Sequence, residues 1–290
     1  QTDRERERGM SGSGSVEGAK VQKRVFCEDV FAGEVVVISG GGSGIGLGIT
    51  RAFMQHGADT VIFSRSLERV QQAAKTLEQE TGRKCLALSA DVRDPEAVNG
   101  VIDQVLEKFG HFEVLINAAA GNFLCSADKL SRNAYKTVLE IDTVGTWNCT
   151  KAAYEKWFKA HGGNILNITM TLHWTGSPLV VHACAAKAAN DATSLSLANE
   201  WGRLGIRVNS IAPGPIEDTE GLSRLMPAEF KEMYRRMIPM QRFGRSSDVA
   251  DAALFLASPA SSYITGTIVT VDGGSWTVGN GPLTMALAKM

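Results

Sequence analysis

An apolar run, Val35-Val36-Val37-Ile38-Ser39, passes directly into Gly40-Gly41-Gly42-Ser43-Gly44-Ile45-Gly46, and a helix-period pattern follows at once. Ile45, Ile49, Ala52 and Phe53 then share one helical face, as a core-facing helix requires. No other stretch constrains the chain as tightly. Glycines allow the tight turn and the close approach of an anion, and the new helix offers free N–H groups and a positive dipole end. The spacing is Gly-xxx-Gly-x-Gly, set between a strand and a helix. That context predicts a pyrophosphate cradle, with Gly40, Gly41, Gly42, Ser43, Gly44, Ile45 and Gly46 around a dinucleotide.

Short β-rich runs alternate with helical stretches through the rest of the chain. Strands are predicted at 34–39, 60–64, 84–89, 113–117, 163–169, 205–210 and 267–271. Helices are predicted at 44–57, 66–81, 95–109, 131–160, 182–203 and 247–257. The strands are continuous apolar runs, as expected where helices cover both sheet faces. The fold class is therefore α/β: a single-domain, Rossmann-like, doubly wound parallel sheet of about seven strands. Residues 31–274 show no composition break and are read as one domain. Residues 1–30, with alternating charges and a Ser/Gly stretch, are read as a flexible arm, and 275–290 as a tail.

Composition excludes several classes. The 30 Lys and Arg residues against 31 Asp and Glu leave a net charge of −1, so no global basic field favours nucleic acid. Apolar runs fall far short of the ~20 residues of a membrane span. The five cysteines, at 27, 85, 125, 149 and 184, are odd in number and form no CxxC pair. That argues against a disulfide framework or structural metal and fits a reducing compartment. No apolar h-region begins the sequence given, and Asp3, Glu5 and Glu7 disfavour a mitochondrial presequence. The last residues, Ala288-Lys289-Met290, form a small–basic–apolar tripeptide close to the Ser-Lys-Leu peroxisomal address, which would make an import receptor a partner.

The second strand points to the kind of dinucleotide. It ends at Ser64-Arg65-Ser66, with no carboxylate to hold a ribose 2′-OH. Arg65, with Arg69 one turn into the next helix, suits a 2′-phosphate, so NADPH is expected over NADH. Asp91, after the third strand, is placed to accept from the adenine amino group.

Further landmarks follow in order: Asn117-Ala118-Ala119-Ala120-Gly121, Lys187, Arg207 through Pro215, and Val271-Asp272-Gly273-Gly274. Together with the glycine turn they resemble the short-chain dehydrogenase/reductase family over roughly residues 31–274. Most of that family reduces a carbonyl with an Asn-Ser-Tyr-Lys tetrad. Counting from Lys187, this chain has Ala183 at the tyrosine position, Met170 at the serine position and Asp142 at the asparagine position. Two readings follow: a reductase that has lost its chemistry, or a reaction that needs no tyrosine. Hydride addition to a conjugated C=C is such a reaction, because the anion is protonated at carbon.

The stretches Ile116–Cys125, Glu140-Ile141-Asp142-Thr143 and Val181–Asp191, with Ala212–Ile216 through Gly221-Leu222, are similar to the 2,4-dienoyl-CoA reductase branch, which lacks the tyrosine too. Leu172-His173-Trp174-Thr175-Gly176 departs from that branch as a bulkier loop, which bears on substrate preference. The resemblance implies NADPH-dependent reduction of a 2,4-dienoyl-CoA to a 3-enoyl-CoA, with Asp142 and Lys187 catalytic. Asp272 is expected to help hold the proton-donating water. It adds Asn117, Pro213, Gly214, Pro215, Ile216, Ser66 and Lys187 to the cofactor contacts. It assigns Arg65, Arg93, Phe123, Ser131, Arg132, Asn133 and Arg224 to acyl-CoA, and a homodimer or homotetramer through helices 131–160 and 182–203. His182 adjoins the tyrosine position and invites a general-base role, against a structural one. Asp191, one turn after Lys187, is read as its ion-pair partner. Trp174 and Phe123 are either acyl-channel walls or core packing. Cys125 and Cys184 are read as small apolar fillers. A 3-oxoacyl thioester reductase and a silent nucleotide-binding protein stay open as alternatives.

Overall fold

The computed structural model describes residues 25–219, 221–222 and 228–279. Seven parallel strands form one sheet: β1 (Val35–Ser39), β2 (Asp59–Ser64), β3 (Cys85–Ser89), β4 (Val114–Asn117), β5 (Gly163–Ile168), β6 (Ile206–Pro213) and β7 (Ile268–Val271). Their order is β3-β2-β1-β4-β5-β6-β7. The winding reverses between β1 and β4, where Ser39 is in register with Asn117. At such a reversal the crossovers leave in opposite directions and open a crevice at the carboxyl ends of the strands.

The strand residues are nearly all apolar because successive side chains enter two different buried layers. Val36, Ile38, Ile62, Ile116, Leu166 and Ile211 face α1 (Gly44–Gln55) and a later helix, Ser246–Ala257. Val35, Val37, Val61, Phe63, Leu115, Ile165 and Val208 face the other layer. That layer contains α3 (Pro95–Phe109), the helix around residues 145–153 and Val181–Trp201. Phe26 and Val30, on the arm side of the boundary read from the sequence, already pack against the first layer.

Between β2 and β3 runs α2 (Leu67–Thr81), capped by the Ser66 hydroxyl and ended by Gly82 in the left-handed region. The helix expected over 131–160 begins where Ser131 caps it. It is one continuous rod with two widened turns: α4 (Arg132–Leu139), a π segment Glu140–Val144, α5 (Gly145–Ala153), a second π segment Tyr154–Phe158 and α6 (Lys159–His161). Among the described residues, the structure shows two α-helices that the periodicity missed. The first, α7 (Leu172–Thr175), is a single turn ended by Gly176 at φ 69°. The second, α9 (Ala228–Met237), is strongly charged and held in part by Glu232 with Arg235 and Arg236. Between them lies α8 (Val181–Trp201), and α10 (Ser246–Ala257) follows.

At the opposite end of the sheet, Glu34 is partly buried beside Glu113. The Glu113 carboxylate accepts from Val35 N–H at 2.8 Å and meets His111 at 2.8 Å. Burial first, and the Glu113 charge second, push the Glu34 carboxyl up to about 7. A carboxyl that holds its proton better when folded favours folding at low pH. That contribution is lost as pH rises from about 4.5 to about 7. Glu34→Gln should therefore leave the melting midpoint nearly unchanged at pH 4.5 and raise it by a few degrees at pH 8, for a gain of ~1–2 kcal/mol after allowing for partial exposure. An equal change at both pH values in thermal denaturation would refute the assignment.

Candidate active site

The glycine turn is built by close packing as well as by conformation. Gly40 has φ 71°, and a Cβ there would lie 2.9 Å from the Ala119 backbone. A Cβ on Gly46 would lie 2.3 Å from Gly40 O. Thr50 Oγ1 donates to the carbonyls of Gly41 and Gly46, which pulls the turn onto α1. Ser39 Oγ accepts from Ala118 and Ala119 N–H, joining β1 to the segment after β4 across the crevice. A Cβ at Gly40 or Gly46 would strike backbone, so the turn keeps this close course only with glycine at those positions, and a strand–turn–helix cradle of this form fits a dinucleotide. Thr219, which sequence reasoning did not single out, comes within 3.7 Å of the position a Gly44 Cβ would take. It arrives because β6 runs to Pro213, Gly214 N–H bonds to Val271 O, and Ile216 bridges to Gly244.

Beside the cradle, Arg65, Ser66, Arg69, Asp91 and Arg93 gather at the ends of β2 and β3. Arg65 and Arg69 are exposed, and the Arg65 charge reaches Asp91. Arg93 grips Asp91 with two nitrogens, at 2.6 and 3.0 Å. That hydrogen-bonded guanidinium, more than the Arg65 charge, holds the Asp91 carboxyl below its usual range. Arg93 thus orients the Asp91 carboxylate, whose remaining lone pairs stay available. Ser131, Arg132 and Asn133 are exposed at the start of α4. Arg224 and Ala288-Lys289-Met290 lie outside the described residues.

Asn117 is buried, and its amide donates inward to Thr150 Oγ1 at 3.1 Å and Asn167 Oδ1 at 2.8 Å. Asn167 donates on to Ser194, which meets Ser210. The chain of polar contacts ties β4, β5, β6 and α8 together under the crevice, so the Asn117 amide group serves the scaffold.

Asp142 sits in the π segment Glu140–Val144 and is 1% exposed. Lys187 lies on α8 and is 7% exposed. Lys187 Nζ is 3.4 Å from Asp142 Oδ2 and donates to Ile168 O, at the end of β5, at 3.0 Å. Asp142 Oδ1 accepts from Gly121 N–H at 2.6 Å. Oδ2 is buried with no hydrogen-bond partner among the described residues. The widened turn is fixed through its own carbonyl: Asp142 O accepts from Thr146 Oγ1 at 2.7 Å and Asn190 Nδ2 at 2.8 Å. Thr143 Oγ1 donates to Ala186 O on the facing helix. Asn190, three residues after Lys187 and so on its helical face, was legible as a partner but was not singled out. A π turn at an acid that faces a buried lysine is a common mark of a functional site.

His182 is fully buried at the start of α8. Its ring stacks on Phe123 at 4.3 Å, and Nε2 lies 3.1 Å from Phe123 O. Because a carbonyl only accepts, Nε2 carries the proton. Burial outweighs that bond and the Asp142 charge and lowers the His182 pKa, which keeps the ring neutral. The ring clamps the segment after β4, and its N–H is already used. Asp191 does not pair with Lys187 as the spacing suggested. It lies 2.9 Å from His173 Nε2 on α7, and the two side chains are 7% and 9% exposed. Burial raises the Cys184 thiol pKa, in keeping with a filler.

Asp272 ends β7, and its two oxygens accept from Gly274 and Trp276 N–H, each at 2.8 Å. It therefore shapes the turn that leads into the short 3-10 helix Ser275–Val278. With Met240, Thr270 and Trp276 it lines a groove of about 630 Å³, which neither Asp142 nor Lys187 lines. Each carboxylate oxygen retains a second lone pair.

A doubly wound parallel sheet with a glycine cradle at its switch point, and a buried acid–lysine pair beside it, defines an oxidoreductase of the nicotinamide-dependent class. The chain belongs to the short-chain dehydrogenase/reductase family: the family described as Enoyl-(Acyl carrier protein) reductase matches residues 40–275. It is 53% identical over 254 residues to the peroxisomal 2,4-dienoyl-CoA reductase, (3E)-enoyl-CoA-producing, of Danio rerio, covering 87% of this chain and 84% of that protein. The protein of the same name from Arabidopsis thaliana is 43% identical, with 87% of each chain covered. A solved short chain dehydrogenase from Bacillus anthracis aligns with a TM-score of 0.77 at 40% identity, over 84% of this chain and 96% of that one.

Proposed function

We propose that the chain reduces 2,4-dienoyl-CoA to 3-enoyl-CoA with NADPH. The observation that carries this reading is the buried Asp142–Lys187 pair in a site with Ala183 where a carbonyl reductase keeps its tyrosine. The relatives' name supports the substrate and product.

The nicotinamide, when bound, supplies a hydride to C5 of the dienoyl chain. The electron pair then spreads through the diene to the thioester oxygen, and a proton at Cα completes the addition, leaving one double bond between C3 and C4. Lys187 has three N–H donors. One is spent on Ile168 O, Asp142 Oδ2 lies 3.4 Å away as a charge partner, and donor capacity is left for a ribose hydroxyl or a water. The ammonium also lends positive charge where the oxyanion develops. Asp142 Oδ2, buried and without a hydrogen-bond partner among the described residues, accepts from the water that protonates Cα, while Gly121 N–H keeps the carboxylate from turning. The family resemblance assigns Asp272 as a second acceptor for that water, and the lone pairs left by its bonds to Gly274 and Trp276 N–H are what it would offer.

Arg65 and Arg69 take the 2′-phosphate. Phe123, Ser131, Arg132 and Asn133, all exposed, are assigned with Arg93 to the coenzyme A phosphates and pantetheine, and the family resemblance adds Arg224 from the sequence. Val144, Trp147 and Leu195, exposed on the helices assigned to an interface, support a homo-oligomer. Ala288-Lys289-Met290 and the relatives' name support import into peroxisomes. A carbonyl reductase reading needs a donor at Ala183, and the adjacent His182 has spent its N–H on Phe123 O.

Purified protein with NADPH and a 2,4-dienoyl-CoA should lose absorbance at the diene and nicotinamide bands together. Asp142→Ala should lower kcat by ~10²–10⁴ with NADPH affinity nearly unchanged. Turnover near the wild-type rate would remove Asp142 from the chemistry. Arg65→Asp should raise the KM for NADPH far more than that for NADH. Equal changes for the two cofactors would remove Arg65 from 2′-phosphate recognition.

A further inference from the structure

The His173–Asp191 pair is not used in the reaction above, and a fold-only account does not favour it. Two polar side chains are taken out of water where α7 meets α8, and both Asp191 oxygens and His173 Nδ1 are buried without a hydrogen-bond partner among the described residues. Burying an incompletely satisfied pair costs free energy that an apolar contact of the same size would avoid. Its position is informative. Asp191 is one turn beyond Lys187 on the same face of α8. His173 belongs to the segment that leaves β5 at Ile168, the residue whose carbonyl holds Lys187. The next residue after His173 is Trp174, 36% exposed and set edge-on to Trp276 at 5.4 Å. Trp276 is 43% exposed. Two half-exposed indoles thus stand together at the carboxyl edge of the sheet, one latched to the lysine helix and the other to the turn that Asp272 shapes.

We propose that His173 and Asp191 are positioning residues that hold Trp174 as the wall of the acyl end of the substrate site, and that Trp174 sets which acyl chain lengths bind tightly. The inference rests on the acyl-CoA reading above. α7 is a single turn with its own end at Gly176, too short to hold a fixed orientation alone. The latch to α8 supplies that orientation, and the indole supplies a rigid apolar face at low entropic cost.

The test is titration of saturated acyl-CoA esters, from hexanoyl to hexadecanoyl, followed by tryptophan fluorescence, so that binding is read without turnover. Trp174→Ala should change the ratio of long-chain to short-chain affinity by about tenfold or more, since the apolar contact of even one ligand methylene is worth about that much. His173→Ala should shift the same ratio in the same direction, with NADPH affinity unchanged. In the double variant His173→Ala/Trp174→Ala the ratio should move no further than in Trp174→Ala, because His173 acts through the indole. His173→Gln, which keeps an N–H donor for Asp191, should restore most of the wild-type ratio. If His173→Ala does not fold, Asp191→Leu, which removes the acceptor at similar volume, gives the same reading with the ring retained. A chain-length ratio indifferent to Trp174→Ala, or additive shifts in the double variant, overturns the proposal and leaves the reaction intact. Failure of the wild-type protein to bind any acyl-CoA overturns the functional reading and this inference with it.

Discussion

Asp142 and Lys187 face each other 3.4 Å apart in a region almost closed to solvent, and the arrangement around them follows from the cost of putting them there. A buried charge pair is tolerable only when its remaining donors and acceptors find partners. Gly121 N–H and Ile168 O are partners of the two charges, while Thr146 and Asn190 hold the Asp142 backbone carbonyl and so the turn that carries the acid. The pair therefore fixes the distance between the end of β5, the segment after β4, the π turn and α8. The scaffold contacts beneath it, from Asn117 through Asn167 and Ser194 to Ser210, hold the strand ends at the spacing that the pair requires.

The same geometry explains why the tyrosine position can be empty of a proton donor. The stretch containing Ala183 opens α8 beside His182, whose ring is neutral and bound to Phe123 O. Neither the Ala183 nor the His182 side chain has a proton to give to an alkoxide. The proposed reaction instead calls for a water held against carbon, and Asp142, buried with an open lone pair, is the acceptor assigned to it. Reduction of a conjugated C=C needs a proton at carbon, and reduction of a carbonyl needs one at oxygen, so the distribution of donors separates the two reactions.

Much of this was legible in the residues. The glycine turn could be placed because a strand, a cradle and a helix follow each other without a gap, and all seven strands fell within a few residues of their predicted bounds. Asp142 and Lys187 were reachable by counting along a family pattern. Contacts between distant segments were not. Asp191 looked like a partner for Lys187 because they are one helical turn apart, yet it meets His173, from a single-turn helix too short to show a period. The bonds that Asn117 makes to Asn167 and Thr150, and that Asp91 makes to Arg93, could not be read from position either, and they show what holds those side chains in place. The π turn has no propensity signature, since it arises from the tertiary bonds to Asp142 O.

Isotope placement tests the central claim most directly. With cofactor deuterated at the transferring C4 position, in ordinary water, the 3-enoyl-CoA product should carry deuterium at C5 only. With ordinary NADPH in heavy water, the deuterium should appear at Cα. Mass spectrometry or NMR of the thioester reads both. Label at a carbinol carbon, with a hydroxyacyl product, would contradict the account, because it would mean that the Asp142–Lys187 site serves a carbonyl after all.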